Sequence, residues 1–545
     1  MAEKHRYPTL RQLGLMVLLG LGSFHNALAD APNAPPAVET YPLAGVIGQP
    51  RRVGVPHGKE ARRHQGDWGR FNYGNGEFAG FGPVGMYGVA PWAEDWSALR
   101  NPSRRRDFLD PLKFIALNEA RTIWLSLSGE SRARYWYEAQ PRLGTVGHQG
   151  ASRFTTRNFL GADLHLGQHV RLFGQLNNGT AAGSRYYGYS ATWRRRLGVQ
   201  QLFAEVKGTV IGAHMGLMVG RQQFLDAPSW LLYQGETPNV PLTWNGVRGY
   251  ALWNAIRVDA YDFVQTQVTH DTIMGGGFDR STRLYGLDVT SALPLFTIGR
   301  QQVHSFLDLF WMGFRFQGAQ ARLMQRTGDA SGTQTRQNIG FRWYGSAPAF
   351  EYDLSAVYQT GRFYAAKAGG NRPISAYAGR AVVGWRHSSS FFHPFVGVQA
   401  EIYSGGRAFY QNGEVTGFVA PFSPRNGTFD ASRTLVRANL MSIGPLLSAT
   451  PLPRLNFQFK LPFMWRQRLG DGLYGNGSRY TFFNSSSLHK AGRYVGFIPQ
   501  LSMRYQITQH LTYQVNGGAL VMSKGVRREG AKNGTFMISD LVFRF

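Results

Sequence analysis

The sequence predicts an all-β fold: a transmembrane antiparallel β-barrel of about 18 strands with a partly irregular N-terminal extension. Three observations predict it: an alternating aromatic strand at the end of the chain, an apolar export segment at its beginning, and persistent two-residue alternation from residue 121 onward. We divide the 545 residues into a signal peptide (1–29), an extension that is periplasmic or enters the lumen (30–118), and an outer-membrane barrel (119–545).

The last eleven residues form the clearest single strand. Side chains of a strand point alternately to its two faces, so one face of this strand is predicted to meet lipid and the other water. The apolar face carries Met537, Leu541, Phe543 and Phe545, and the polar face carries Asp540 and Arg544. A closing Phe resembles the signal by which the barrel-assembly machinery recognises outer-membrane barrels, and we assign that signal to Phe543 and Phe545. An ordinary half-buried edge strand is the alternative.

The beginning of the chain has the features of a secretory signal peptide. Basic residues precede an apolar run of twelve residues, Leu13 to Phe24, and the small residues Ala27 and Ala29 then form a cleavage site. Twelve residues are short of the ~20 that a helix needs to cross a bilayer. An exported chain that ends in such a strand is expected in the outer membrane of a Gram-negative bacterium.

Composition and charge narrow the possible partners. The formal net charge is +27, aromatic residues make up 14%, and there is no cysteine, which excludes thiol chemistry and cysteine-based metal sites. So basic a chain attracts polyanions, but export argues against nucleic acid. Two interpretations stay open: an anionic solute in the lumen, or the phosphates of lipopolysaccharide and the surrounding lipid at the outer rim.

Parity along the strands selects candidates for the wall of a lumen. Apolar residues alternate with polar ones over Arg121–Glu138, Arg454–Arg466, Gln500–Ile507 and His510–Gly517, and the same alternation is taken for Arg153–Leu166, Arg248–Phe263, Asn338–Tyr344 and Glu351–Tyr358. The basic residues on the water-facing side, which we predict to line a substrate conduit, are Arg132, Arg134, Arg157, Arg257, Arg342, Lys460 and Arg504. The acidic residues Glu130, Asp163 and Asp259 share that side, so structural ion pairs are an equally open interpretation of each arginine.

The spacing of strands predicts a wide barrel. Residues 121 to 545 allow roughly 16 to 20 strands if each strand takes ~10 residues and each connection a similar number. Arg248 to Phe263 is taken as one alternating segment, and Asn177 to Ser184 as a polar, loop-like cluster. Long loops that alternate with short turns are typical of the two rims of an outer-membrane barrel.

Several sequence blocks together resemble the alginate-export family of outer-membrane proteins. They run in the same order from about residue 90 to the C-terminus: WAEDWSALRNP at 92–102, DPLKFI at 110–115, LSGESRAR at 127–134, VGRQ at 219–222, WNGVR at 244–248, VDAYDF at 258–263, WRQ at 465–467, DGLYG at 471–475 and RYVG at 493–496. The resemblance implies a single-chain barrel of eighteen antiparallel strands. It also implies an Arg- and Lys-lined lumen that passes a polyuronate from the periplasm to the exterior.

Other classes of function stay open at this point. A porin or specific uptake channel for small anionic solutes is the nearest rival. A structural envelope protein is another, in which aromatic residues such as Trp92 and Trp96 plug the barrel or contact a periplasmic secretion partner. An enzyme is disfavoured because no G-x-S-x-G or H-E-x-x-H pattern is present. The carboxylate of Asp471 lacks the regularly spaced companions of a calcium loop, and we predict no cofactor or metal.

Overall fold

The computed structural model describes residues 87–545 apart from residues 95, 148, 185–188, 236, 254–255, 270–275, 295, 319–331, 348, 366–369, 388–391, 407–412, 423–428, 453, 476–479 and 484–487. The predicted signal peptide, with Ala27 and Ala29, and most of the predicted extension lie outside the described residues. None of the described helices is long and apolar enough to cross a bilayer.

Eighteen antiparallel strands close into one barrel, as the sequence predicts. Each strand pairs with its neighbours in the chain, and the last strand pairs with the first from Glu130↔Arg544 to Ala139↔Thr535, which closes the sheet. The strands are β1 Ile123–Ala139, β2 Gly150–Leu166, β3 Val170–Gly183, β4 Arg195–Val210, β5 Ala213–Gln222, β6 Trp244–Leu252, β7 Ile256–Thr266, β8 Phe278–Ala292, β9 Gln301–Gln317, β10 Gly332–Ser346, β11 Phe350–Ala365, β12 Asn371–Arg386, β13 Phe395–Tyr403, β14 Leu440–Leu452, β15 Leu455–Lys460 with Phe463–Arg466, β16 Tyr494–Phe497 with Gln500–Gln506, β17 Leu511–Met522 and β18 Gly534–Arg544.

The two faces of the wall differ as alternation requires. Leu202 is 62% exposed and Ile339 is 57% exposed on the outside, whereas polar residues between such positions are buried inside. Large aromatic residues mark both ends of the outer face: Tyr137, Tyr364 and Trp311 toward the long loops, and Trp253, Trp343 and Trp385 toward the short turns. Such aromatic belts are typical of the two interfaces of a membrane barrel.

Two details of the predicted segmentation are wrong. Asn177 to Gly183 continues β3 because Asn177 is buried on the inner face, where its amide bonds Gln200, so a polar run here is wall and not loop. Arg248 to Phe263 is a hairpin of two strands, β6 and β7. The alternation of apolar and polar residues gave no sign of the turn between them.

The described parts of three long connections fold inward at the long-loop end: residues 223–243, 404–439 and 467–493. Trp230 and Leu231 of the first connection pack in one apolar cluster with Trp136 of β1 and Phe310 of β9. The first connection also meets the second, since Tyr233 N–H donates to the Phe422 carbonyl at 3.1 Å. The third carries a small hairpin, Leu473–Gly475 with Tyr480–Phe483. These contacts narrow the lumen by joining strands from different sides of the barrel.

The segment 87–122 lies at the short-turn end. It contains the helical turns Pro91–Ala93, Ser97–Arg100, Pro102–Arg104 and Asp110–Lys113 and the short strand Ile115–Ala116, which pairs with β1. Trp92 contacts the inner-wall Phe173 edge-on at 6.4 Å, and Asp107 bonds His510 of the β16–β17 turn at 3.1 Å. Further short elements are Pro141–Gly144, Phe296–Ile298 and Lys524–Arg528.

The C-terminal strand has the predicted faces. Met537, Leu541 and Phe543 are exposed on the outside, and Asp540 is buried inside. Phe545 is half-buried, and its ring occupies the space that a Cβ of Gly129 would take. The assembly signal at Phe543 and Phe545 stays a prediction.

Candidate transport path

All seven predicted conduit residues lie on the inner side of the barrel. Six are nearly or fully buried: Arg132, Arg134, Arg157, Arg257, Arg342 and Lys460. Arg504 is half-buried on β16, opposite Asn456 and Gln514. The structure brings the first three together on β1 and β2, where Arg132 lies directly opposite Arg157. The other four lie on separate strands.

We call the group around these three residues the arginine-rich cluster: Arg132, Arg134, Arg157, Arg544, Glu130 and Asp540. The Glu130 carboxylate accepts from Arg157 Nε at 2.6 Å and from Arg544 Nε at 2.8 Å. Arg134 forms a two-pronged ion pair with Asp540, with Nη2 to Oδ2 at 3.0 Å. Four guanidinium groups thus share two carboxylates, which leaves a formal excess of two positive charges.

A second group, on β6 to β9, has the opposite balance. We call it the carboxylate-rich cluster: Asp226, Asp259, Asp288, Asp308, Arg248 and Arg257. Asp226 bridges Arg248 at 2.7 Å and Arg257 at 2.8 Å, and Asp259 bonds the same two arginines. Asp288 lies opposite Asp259, and both of its carboxylate oxygens are buried without a hydrogen-bond partner among the described residues. Asp308 lies opposite Arg342 of the next strand, so the four carboxylates here adjoin three guanidinium groups.

Arg342 belongs to a third, chain-like network. It forms a two-pronged ion pair with Asp353, at 2.9 and 2.8 Å. Asp353 also accepts from Arg380 at 3.0 Å, and Arg380 approaches Glu401 at 3.4 Å. Glu401 in turn meets Arg437 of the connection 404–439 at 3.7 Å, so three arginines alternate with two carboxylates from the wall to this loop.

The inward connection 223–243 touches the first two clusters. Its Asp226 is a member of the carboxylate-rich cluster. At its other end, the Thr237 carbonyl accepts from Arg134 at 3.1 Å and Asn239 Oδ1 accepts from Arg132 at 3.2 Å. The wall arginines therefore also fix the position of the loop that narrows the lumen.

A narrow cavity borders the arginine-rich cluster. It lies between the wall and the segment 87–94, and Glu130, Arg157 and Arg544 line it together with the amide side chains of Gln175, Gln223 and Gln234. The guanidinium and amide groups that line it can donate hydrogen bonds, charge-assisted in the case of the guanidinium groups, to carboxylates. No residue of the carboxylate-rich cluster lines this cavity.

A buried ion pair holds the segment beside that cavity. Lys113 Nζ lies 4.0 Å from Glu94 Oε2 and faces the rings of Trp96 and Tyr87 at 5.0 and 5.3 Å. Burial raises the pKa of Glu94 to about 7, although Lys113 and hydrogen bonds from Gly88 and Trp96 oppose the shift. Burial also lowers the pKa of Lys113.

The two-residue alternation of the sequence did not identify inward-facing arginines on strands where apolar and polar residues do not alternate regularly. On β12 the inner positions next to Arg380 are Ala376 and Ala378, which are buried by the inward loops, so both faces of this strand are apolar in sequence. Asp226 gave no signal because it lies in a loop. Arg248 could have been found, since it has the inner parity of β6.

Comparisons with known proteins agree with the barrel. Pseudomonas aeruginosa OccK9 (OpdG) has a TM-score of 0.50 at 12% identity, over 77% of this chain and 98% of that chain. A BenF-like porin from Pseudomonas fluorescens Pf-5 has a TM-score of 0.47 at 10% identity, over 77% of this chain and 99% of that chain. P. aeruginosa OccK2 (OpdF), solved in complex with glucuronate, has a TM-score of 0.47 at 11% identity, over 77% of this chain and 98% of that chain.

No curated protein sequence matches this chain. The family model described as alginate export matches residues 123–540, which span the barrel from β1 into β18. With its closed barrel of eighteen strands, the chain belongs to the alginate export family of outer-membrane channels.

Proposed function

We propose that this channel exports an acidic, alginate-like polysaccharide across the outer membrane of a Gram-negative bacterium. The observation that carries the proposal is the arginine-rich cluster, where four guanidinium groups face the lumen against two carboxylates and border a polar cavity. Family membership supports the class of cargo, and the sugar itself is part of the proposal.

Electrostatics explains how such a wall assists a polyanion. A hydrated polyuronate loses solvation in a narrow pore, and positively charged walls with low dielectric focus a favourable potential on its carboxylates. Guanidinium forks form charge-assisted, two-pronged bonds with carboxylates. Because passage requires release as well as binding, several weak sites along the wall serve better than one tight site.

Single-channel conductance of the full mature protein in a planar bilayer tests the proposal. The variant Arg132→Gln/Arg504→Gln removes two positive charges from the inner wall. The matched control Arg257→Gln/Asp259→Asn removes one charge of each sign. We expect anion selectivity and block by polyuronate to fall in the first variant and to persist in the control.

Cation-selective wild-type conductance, or equal loss in both variants, would reject the proposal. Because the segment 87–122 and the inward loops narrow the lumen, each protein is also measured after deletion of residues 31–110. Larger conductance after this deletion would support a plug, and unchanged conductance would reject that role.

A porin or uptake channel for small anionic solutes is the second candidate, and the narrowing of the lumen by the inward loops favours it. The length of the blocking molecule separates the two. Block that strengthens from a monouronate to a long polyuronate indicates a conduit for polymers, whereas equal block by both, with no effect of length, indicates a site for small solutes.

A further inference from the structure

Three arginines form a row on the outer face of the barrel near the long loops. Arg283 of β8 lies directly opposite Arg315 of β9, and Arg315 opposite Thr335 of β10. Thr335 in turn lies opposite Arg362 of β11. These positions share the outward parity of the exposed residues Leu287, Trp311, Ile339 and Tyr358. We call Arg283, Arg315 and Arg362 the outer arginine row.

The described residues leave two of these charges without a balancing group. Arg283 is neutralised by Asp262, which accepts from its Nε at 2.7 Å. Arg315 Nε is buried and has no hydrogen-bond partner, and Arg362 is exposed without an ion pair, both among the described residues. The nearby Asp279 bonds its own turn through Ser281. Arg315 and Arg362 are therefore the members of the row whose charge favours a bound anion.

The row lies at the level where the outer face changes from apolar to polar. Tyr285, two residues along β8 from Arg283, accepts from Gln337 at 2.8 Å, and Gln337 accepts from Trp311 Nε1 at 2.9 Å. The two aromatic rings meet edge-on at 5.6 Å. Aromatic residues with polar links of this kind mark the level of lipid head groups. The arginines lie on the long-loop side of that belt, which faces the exterior in outer-membrane barrels.

We propose that the outer arginine row binds the phosphate groups of lipopolysaccharide in the outer leaflet. The planar fork of a guanidinium matches two oxygens of a phosphate. Strands are ~4.8 Å apart, so Arg315 and Arg362, two strands apart, are separated by roughly 10 Å and can hold one phosphate between them or one each. The inference depends on the outer-membrane location and not on the cargo proposed above.

The test compares Arg315→Gln/Arg362→Gln with the control Arg300→Gln/Arg454→Gln, which removes the same charge from exposed positions at the short-turn end. Bisphosphorylated lipid A is titrated into the full mature protein in detergent, and binding is followed by native mass spectrometry. Each basic residue near an anionic lipid surface contributes about fivefold in affinity, so we expect about 30-fold weaker binding in the double variant. The control should bind as the unaltered protein does.

Two further ligands identify the source of the phosphate. Dephosphorylated lipid A should bind the unaltered protein weakly, with an affinity no higher than that of bisphosphorylated lipid A for the double variant. Inorganic phosphate, at the same concentration as the lipid, should not compete with bisphosphorylated lipid A. Equal binding of both lipids, equal loss in the control, or effective competition by inorganic phosphate would each overturn the assignment. Retention of the heat-modifiable gel shift shows that each variant is folded.

Discussion

Two clusters on the inner wall of the barrel differ in the number of carboxylates that surround their arginines. In the arginine-rich cluster of β1, β2 and β18, four guanidinium groups share two carboxylates and border a cavity. In the carboxylate-rich cluster of β6 to β9, Arg248 and Arg257 lie among Asp226, Asp259 and Asp288, and Asp308 lies opposite Arg342. An inward arginine therefore does not by itself mark a path for anions, because its counterions decide how much charge a solute meets.

The comparison divides the predicted conduit residues. Arg132, Arg134 and Arg157 belong to the cluster that keeps an excess of positive charge. Arg257 belongs to the cluster that does not, and its bonds to Asp226 and Asp259 hold an inward loop against the wall. We therefore expect the first three to act on a passing polyanion, and Arg257 to act on stability.

The largest expected effect separates these roles by stability. Arg257→Gln leaves Asp226 and Asp259 with one arginine between them, and breaking a buried ion pair typically costs about 3–5 kcal/mol. Arg132→Gln loses hydrogen bonds to neutral loop atoms and should cost about 1–2 kcal/mol. Urea unfolding of the barrel in lipid vesicles, followed by tryptophan fluorescence, measures both. Equal losses would contradict the distinction between the clusters.

These same residues show which features of the site the sequence predicts and which it does not. Alternation placed Arg132, Arg134 and Arg257 on the inner face because side-chain direction in a strand is local. Their partners are not local: Asp540 joins Arg134 through closure of the barrel, and Asp226 reaches Arg257 from an inward loop. The alternation within a strand carries no information about barrel closure or about the position of a loop. It therefore identified which residues face the lumen, but not which carboxylates neutralise them. Arg380 was missed because the loops bury the alanines beside it.

A smaller effect is expected at Asp288. Its buried carboxylate has no hydrogen-bond partner among the described residues and faces Asp259 across the strand pair. Asp288→Asn replaces the carboxylate by a neutral amide, which removes the repulsion from Asp259 and the cost of burying a charge, so the variant is expected to raise the free energy of unfolding by about 1–3 kcal/mol. Asp259→Asn is the matched control and should destabilise it, because that carboxylate bonds Arg248 and Arg257. A loss of stability in Asp288→Asn would show that its charge is needed in the cluster.

The smallest expected effect concerns pH at the arginine-rich cluster. Glu94 lines the same cavity as Arg157 and Arg544, and burial raises its pKa to about 7 from an ordinary value of 4.5. A raised pKa means that the folded protein favours the protonated acid, so this contribution to docking of the segment is present at low pH. It is lost as pH rises from about 4.5 through 7. Above pH 7 the carboxylate also offsets part of the positive excess.

Block by polyuronate should therefore weaken by about three- to tenfold between pH 5.5 and pH 8, as one charge enters the cavity. In Glu94→Gln, which keeps the shape of the protonated acid, block should stay near its low-pH strength throughout, with Asp107→Asn as a control that removes an acid at the rim. A pH dependence of the same size in Glu94→Gln would show that another group is titrated. In that case the excess charge of the arginine-rich cluster would be independent of the segment that covers it.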